Sequence, residues 1–169
     1  GILGDAKKHD ELKARFETGR SEFNRRHLEE DDYDAHCQCG IVLPIAFGIA
    51  PEEKRQTLAD RLSEYVKEAG YHTTTGFIGA RYLFEVLADY GHAGDALAII
   101  ENPTAPSWLA MLNTGATAIT ESWYGEDDPD KSLSMSHFSL GSVAGWFFEY
   151  LGGIRVKDSE PGLDEIVLK

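Results

Sequence analysis

Apolar residues recur along this chain at helical spacing far more often than at the strict alternation of a strand. Leu12, Phe16, Phe23 and His27 step by four, seven and four, which draws one narrow stripe along a first helix over about residues 6–28. Lys, Arg, Asp and Glu fill the remaining positions, as a solvated face requires. Gly19 weakens the middle of this helix by up to about 1 kcal/mol. A second helix is expected over about 34–47, where the run Ile41 to Phe47 is apolar on every side. Such a helix must be enclosed by others; Pro44 should kink or break it, and Gly48 ends it. Pro51, Glu52 and Glu53 suit the first turn of a third helix. Leu58, Leu62, Tyr65, Val66 and Ala69 give that helix a single apolar face, and Gly70 stops it. Thr73 to Gly76 reads as a loop before a mostly apolar helix over about 77–90. Short helices over about 94–100 and 107–113 follow, then a long polar loop and a last helix over about 140–151.

Enclosed and one-sided helices therefore alternate, joined by short turns, which is the pattern of two concentric helical layers. Loops gathered at one end of such a ring form a natural cavity mouth. The tail changes character: Ile154-Arg155-Val156 and Ile166-Val167-Leu168 are β-like, with a turn signal at Glu160-Pro161-Gly162. The expected division is a helical unit over 1–153 and a β junction over 154–169. Short strands are also expected around residue 121, within a stretch of small and β-branched residues.

A length of 169 residues fits one compact unit, and 42% apolar content allows a packed core. The net charge of −13 opposes nucleic acids and anionic membranes while leaving neutral small molecules such as sugars compatible. No apolar run is long enough to span a bilayer. The chain opens on Gly1 rather than Met, so an internal or processed start is expected and the compartment, cytoplasmic or periplasmic, stays open. Cys37 and Cys39 lie two apart, a poor geometry for a mutual bridge on a helix. With His36 they make a His-Cys-x-Cys group that lacks a second ligand pair for zinc, so free, buried, packing thiols are expected.

Three segments were weighed for chemistry. Glu121 lies between apolar and aromatic neighbours, with Trp123 two residues on. Burial against an indole raises a carboxyl pKa and nearby donors lower it, so the setting suits a general base. On residue chemistry alone, an ordinary loop carboxylate is the favoured reading. His137 ends a long polar loop just before an enclosed helix, which puts it at the cavity rim. The acidic run Glu126 to Asp130 lacks the ligand spacing and central Gly of a calcium loop and reads as solvated. No phosphate loop, dinucleotide fingerprint or nucleophile elbow is present, and no cofactor or metal is expected.

An ordered series of segments resembles glycoside hydrolase family 78, the α-L-rhamnosidases. It comprises Thr75-Gly76-Phe77-Ile78-Gly79, Pro106-Ser107-Trp108, Gly115-Ala116-Thr117 through Glu121-Ser122-Trp123, and Ser134-Met135-Ser136-His137. Gly141-Ser142-Val143 with Trp146, Gly153-Ile154 and Glu160-Pro161-Gly162 complete it. The resemblance implies an all-α fold with a few short strands: about six or seven helices of a twelve-helix (α/α)6 double ring, the C-terminal half, followed by a β-sandwich. It implies inverting hydrolysis of terminal α-L-rhamnose, a reaction that needs one carboxylate as base and one carboxylic acid. Glu121 occupies the position of the base and His137 that of a rhamnose-binding residue, with Trp123 and Trp108 as further candidate sugar contacts. The general acid of the family belongs to an upstream segment, so the isolated chain is expected to be inactive. Ala118, Thr120, Ser136 and Leu163 depart from the family pattern at positions that bear on sugar specificity. Two alternatives stand beside this reading: another (α/α)6 glycosidase, or a non-catalytic sugar-binding or scaffold protein on a degenerate barrel. An open, aromatic-lined surrounding for Glu121 favours a sugar site, and a flat polar one a scaffold. A half ring is also expected to leave inner-helix residues such as Ile41, Phe47, Phe84 and Phe148 bare, which favours self-association.

Overall fold

The computed structural model describes residues 4–131, 133–156 and 166–168. Helix α1 (Ala6–His27) starts where the Asp5 carboxylate accepts the Lys8 N–H at 2.9 Å and ends on Arg25, Arg26 and His27, charges that suit the two ends of the helix dipole. None of its residues is buried, and Leu12 and Phe16 remain 49% and 44% exposed. Only its C-terminal end is fastened. There the Tyr33 hydroxyl donates to Asn24 Oδ1 at 2.7 Å, and Asn24 Nδ2 donates to the Ile49 carbonyl at 2.8 Å.

The loop that follows turns around Asp32, which is 9% exposed. Its carboxylate accepts the Tyr33 N–H at 2.7 Å and the Tyr65 hydroxyl, and it pairs with His36 Nδ1 at 3.2 Å. Burial pushes this carboxyl up, but hydrogen bonds from Tyr65, His36 and the Tyr33 N–H outweigh it and hold the group below its ordinary value. Tyr33 itself is buried, which pushes its phenol up to about 12.

Helix α2 (Gln38–Ala46) is shorter than the sequence pattern implies, and Pro44 lies inside it. The expected break comes instead at the helix end, where Gly48 takes φ +67° and the Pro44 carbonyl accepts the N–H groups of both Ile49 and Ala50 at 2.8 Å. A 3₁₀ turn (Glu52–Lys54) leads into α3 (Arg55–Glu68). Then come α4 (Phe77–Asp89), α5 (Ala93–Ile100) and α6 (Trp108–Asn113). The last helical stretch is segmented: α7 (Phe138–Gly141), α8 (Val143–Trp146) and a single π turn (Phe147–Leu151). Strands β1 (Ile154–Val156) and β2 (Ile166–Leu168) pair antiparallel, Ile154 opposite Leu168. The turn expected at Glu160-Pro161-Gly162 lies outside the described residues. Around Glu121 the backbone is irregular and forms no strand.

Helix α4 is the centre of the packing and touches α2, α3, α5, α7 and α8. Its Leu83, Phe84 and Leu87 are essentially buried, each removing apolar surface worth roughly 1.5–3 kcal/mol. They meet a core shared by Ile41 and Val42 of α2, Leu58, Leu62 and Val66 of α3 and Ile99 of α5. The one-sided helices α3 and α5 thus back the apolar helices α2 and α4, the two-layer arrangement that the alternation implies. The last helical stretch is locked on by the Trp146 indole N–H, which donates to the Phe84 carbonyl at 3.1 Å. Ile41 and Phe84 are therefore covered within the chain, contrary to expectation: both lie in the core shared with α3 and α5, and Trp108 and Trp146 pack on Phe84. Phe47 and Phe148 do stay bare, at 47% and 65% exposure. No helix among the described residues is long and apolar enough to cross a membrane.

Candidate active site

The site is carried by the loop between α6 and α7. Ser107 caps α6 by accepting the Ala110 N–H at 3.0 Å, and Gly115 turns the chain out of the helix at φ +90°. The chain then runs past Ile119, Thr120 and Glu121, reverses through the acidic segment and returns at Ser134 to His137. Among the described residues, three hydrogen bonds join the two runs. The Glu121 N–H donates to the Ser134 carbonyl at 2.9 Å, the His137 N–H donates to the Ile119 carbonyl at 2.7 Å, and the Ser134 N–H donates to Glu121 Oε2 at 3.0 Å. One carboxylate oxygen of Glu121 is thereby fixed, and Oε1 accepts no hydrogen bond from a described residue. Glu121 is half-buried.

Thr120, 1% exposed, anchors the loop from below. Its N–H points at Met111 Sδ at 3.3 Å and its hydroxyl donates to the Ser122 carbonyl at 2.6 Å. The Thr120 side chain, one of the departures from the family pattern, is thus used as a tether. Ser122 in turn donates to Asp128 and accepts the Tyr124 N–H at 3.0 Å. The acidic run serves as a brace: Asp128 also accepts the Asp130 N–H at 2.7 Å. Gly125 sits at φ +54° against Thr114, whose hydroxyl donates to the Met111 carbonyl at 2.7 Å and accepts the Glu126 N–H at 3.0 Å.

His137 is half-buried and caps α7. Its Nδ1 lies 3.3 Å from the Ser139 N–H and accepts from it. In the neutral ring the proton then belongs on Nε2, which leaves a donor free to meet a ligand oxygen. The imidazole lies in an aromatic row, stacked on Phe138 at 4.9 Å and 22° and with Phe77 at 5.7 Å. Trp123 is half-buried and meets Trp108 edge to face at 4.6 Å. Trp108 is 4% exposed; its indole N–H is taken by the Leu140 carbonyl at 3.0 Å and its ring packs on Phe84 at 5.0 Å. Of the two candidate indoles, only Trp123 offers surface to a ligand, and Trp108 supports it from the core.

The structure thus brings Glu121, His137 and Trp123 onto one pair of braced loop segments. Ser134, which fixes Glu121, carries no side-chain signal for that role because its backbone N–H does the work. Cys37 and Cys39 are free and half-buried, and Cys37 is not inside a helix: it caps α2, with its sulfur accepting the Gly40 N–H at 3.4 Å. Among the described residues, no group of three or more His, Cys, Asp or Glu is placed to hold a metal ion.

A double layer of helices with a carboxylate held in the loops at one end is the build of a six-hairpin glycosidase domain. Residues 1–151 match the family described as the bacterial alpha-L-rhamnosidase 6 hairpin glycosidase domain, and the chain belongs to that family. It is 32% identical over 166 residues to an alpha-L-rhamnosidase of Formosa agariphila, covering 94% of this chain and 17% of the relative. It superposes on the crystal structure of the Streptomyces avermitilis alpha-L-rhamnosidase complexed with L-rhamnose with a TM-score of 0.85 at 27% identity, covering 99% of this chain and 16% of that one. The alpha-L-rhamnosidase of Dictyoglomus thermophilum gives a TM-score of 0.83 at 32% identity, with coverages of 99% and 19%. The chain spans 13% to 19% of the length of the curated relatives it matches.

Proposed function

We propose that this chain is the part of an inverting α-L-rhamnosidase that holds the general base, Glu121, and a sugar-binding histidine, His137. The reading rests on the braced loop pair. One oxygen of Glu121 is held by the Ser134 N–H, and Oε1 accepts no hydrogen bond from a described residue, an arrangement that suits a carboxylate turned toward a water molecule. His137, tied to the partner run by its own N–H on the Ile119 carbonyl, presents an Nε2–H donor to a sugar hydroxyl. Trp123, half-buried, supplies part of its ring, and Trp108 packs against it edge to face. Inversion requires a carboxylic acid on the opposite face of the sugar, roughly 6.5–9.5 Å from the base, to protonate the leaving oxygen while water enters between. That acid is assigned to a part of the barrel outside this chain. The substrate class is a glycoside ending in α-L-rhamnose, and the full-length enzyme is a hydrolase.

The test is turnover of an aryl α-L-rhamnoside by the full-length enzyme carrying Glu121→Gln. The amide keeps the shape and the hydrogen bond from Ser134 but cannot take a proton. Turnover should fall by about 10²–10⁴-fold. Azide, a charged nucleophile that needs no base, should restore part of it and yield a product of inverted configuration. Near-normal hydrolysis by the variant in water removes Glu121 from the mechanism.

A further inference from the structure

A cavity of about 370 Å³ opens between the first turn of α4 and the start of α7, a size in the range of small-ligand sites. Phe77 and Phe138 form two of its walls, Ser139 and Ser142 lend hydroxyls, and Arg81 lines it from the second turn of α4. The rings are open to solvent, Phe138 at 85% and Phe77 at 46% exposure. Both also contact the His137 imidazole, so the cavity adjoins the proposed rhamnose site.

Arg81, like Arg15 and Arg55, stands apart from the ion-paired arginines of this chain. In a protein of net charge −13, guanidinium groups find carboxylates readily, and Arg20, Arg25, Arg26 and Arg61 each sit within 2.8 Å of one. Arg81 forms no such pair with a described residue. Its recorded contacts are a 5.5 Å approach to the neighbouring Tyr82 ring and a through-space attraction for Glu85 one turn below. Its forked donors line the same cavity as two exposed aromatic rings, beside the proposed sugar site. Planar, bidentate recognition of an oxyanion is the chemistry for which arginine is built, and exposed ring faces stack on the apolar faces of sugars.

We propose that Arg81, flanked by Phe77 and Phe138, reads a negatively charged group on the sugar joined to the terminal rhamnose. The ligand chemistry is an oxyanion on a sugar ring, the carboxylate of a uronic acid or a sulfate ester. This rests on the rhamnosidase reading of the same site and adds its substrate preference. A neutral Arg81 variant should leave hydrolysis of uncharged rhamnosides unchanged, because the group contacts the neighbouring residue and not the reacting centre.

The experiment compares kcat/KM of the full-length enzyme, Arg81→Gln and Arg81→Lys on four substrates: an aryl rhamnoside, rhamnosyl-glucose, rhamnosyl-glucuronate and rhamnosyl-glucose bearing a sulfate ester. Hydrogen bonds to charged groups predict a preference of roughly 10- to 100-fold for a charged disaccharide over rhamnosyl-glucose. That preference should vanish in Arg81→Gln and survive in part in Arg81→Lys. Preference for glucuronate alone, or for the sulfate alone, identifies which oxyanion is read. No charge preference in the unmodified enzyme, or an equal loss on all four substrates in Arg81→Gln, overturns the proposal. Failure to hydrolyse any rhamnoside refutes the rhamnosidase reading instead. In that case calorimetric binding of methyl glucuronide and glucose sulfate decides on Arg81: binding lost in Arg81→Gln supports the anion site, and absent or unchanged binding sinks it.

Discussion

Gly125 offers a sharp test of how the loop that carries Glu121 is held. Its φ of +54° lies in the left-handed region, and a Cβ built there would fall 2.3 Å from Thr114 Oγ1 and 3.1 Å from the Met111 carbonyl oxygen. Gly125→Ala therefore imposes two costs. The left-handed backbone disfavours alanine by roughly 1 kcal/mol. The methyl also drives the Thr114 hydroxyl away, breaking its bonds to the Met111 carbonyl and the Glu126 N–H, at about 1 kcal/mol each before water replaces the exposed partner. The total is about 2–3 kcal/mol, a fall of roughly 4–12 °C in melting temperature for a domain of this size. Thr114→Ala alone loses the same hydrogen bonds without strain, about 1 kcal/mol, because water solvates the Glu126 N–H. The pair should not add. Removing Oγ1 removes the atom that the new methyl strikes, so the double variant should lose only about 2 kcal/mol, a coupling of roughly 1–2 kcal/mol. Thermal unfolding followed by circular dichroism measures all three. A double variant as unstable as the sum of the singles, or Gly125→Ala melting at the native temperature, would refute this account of the loop.

Two further predictions use pH. Burial raises the Glu85 carboxyl, opposed in part by Arg81 and reinforced by Glu149 and Asp89, so its contribution to stability is full below its ordinary pKa and is lost as pH rises. Glu85→Gln should then raise the melting temperature at pH 7, with the gain vanishing below about pH 4; an unchanged gain at acid pH contradicts the cause. Asp32 has the opposite sign: its lowered value gives stability that is present above the ordinary carboxylate pKa and lost as pH falls through the folded one. Asp32→Asn should cost about 1–3 kcal/mol at neutral pH, a difference that shrinks below about pH 4, and denaturant melts giving the same difference at pH 3 and pH 7 count against it.

Most of the helical framework was legible because it is written locally. Gly48, Gly70 and Gly91 all take positive φ and end helices where the apolar pattern stops. The stripes of α3 and α4 are the faces that become buried. What escaped depends on residues far apart in the chain. Asp32 reads as one of several loop acids, and its status as a buried hub comes from Tyr65, 33 residues away. The last helix reads as continuous, yet it is segmented into α7, α8 and a π turn. Strands expected around Glu121 reduce to a few hydrogen bonds, because Thr120 and Ser122 spend their hydroxyls on the loop itself. Trp108 carries the family motif in sequence, but only packing shows that its indole faces inward and that Trp123 is the one left for a ligand.

The bond from Trp146 to the Phe84 carbonyl spans 62 residues, and that from Tyr150 to Asp89 spans 61. By contrast, α2 to α5 pack on helices one or two places along the chain. Short-range pairs close quickly, while long chain closures must wait for the entropy of the intervening segment to be overcome. The expected order of assembly is therefore helical hairpins first, then capture of the Glu121 loop when the last helical stretch docks on α4. Trp123 and Trp146 lie in the late-docking part, and Trp108 meets it through the Trp123 ring and the Leu140 carbonyl. Indole emission during refolding is therefore a clock for completion of the active-site loop, and it is blind to the hairpins that form before it.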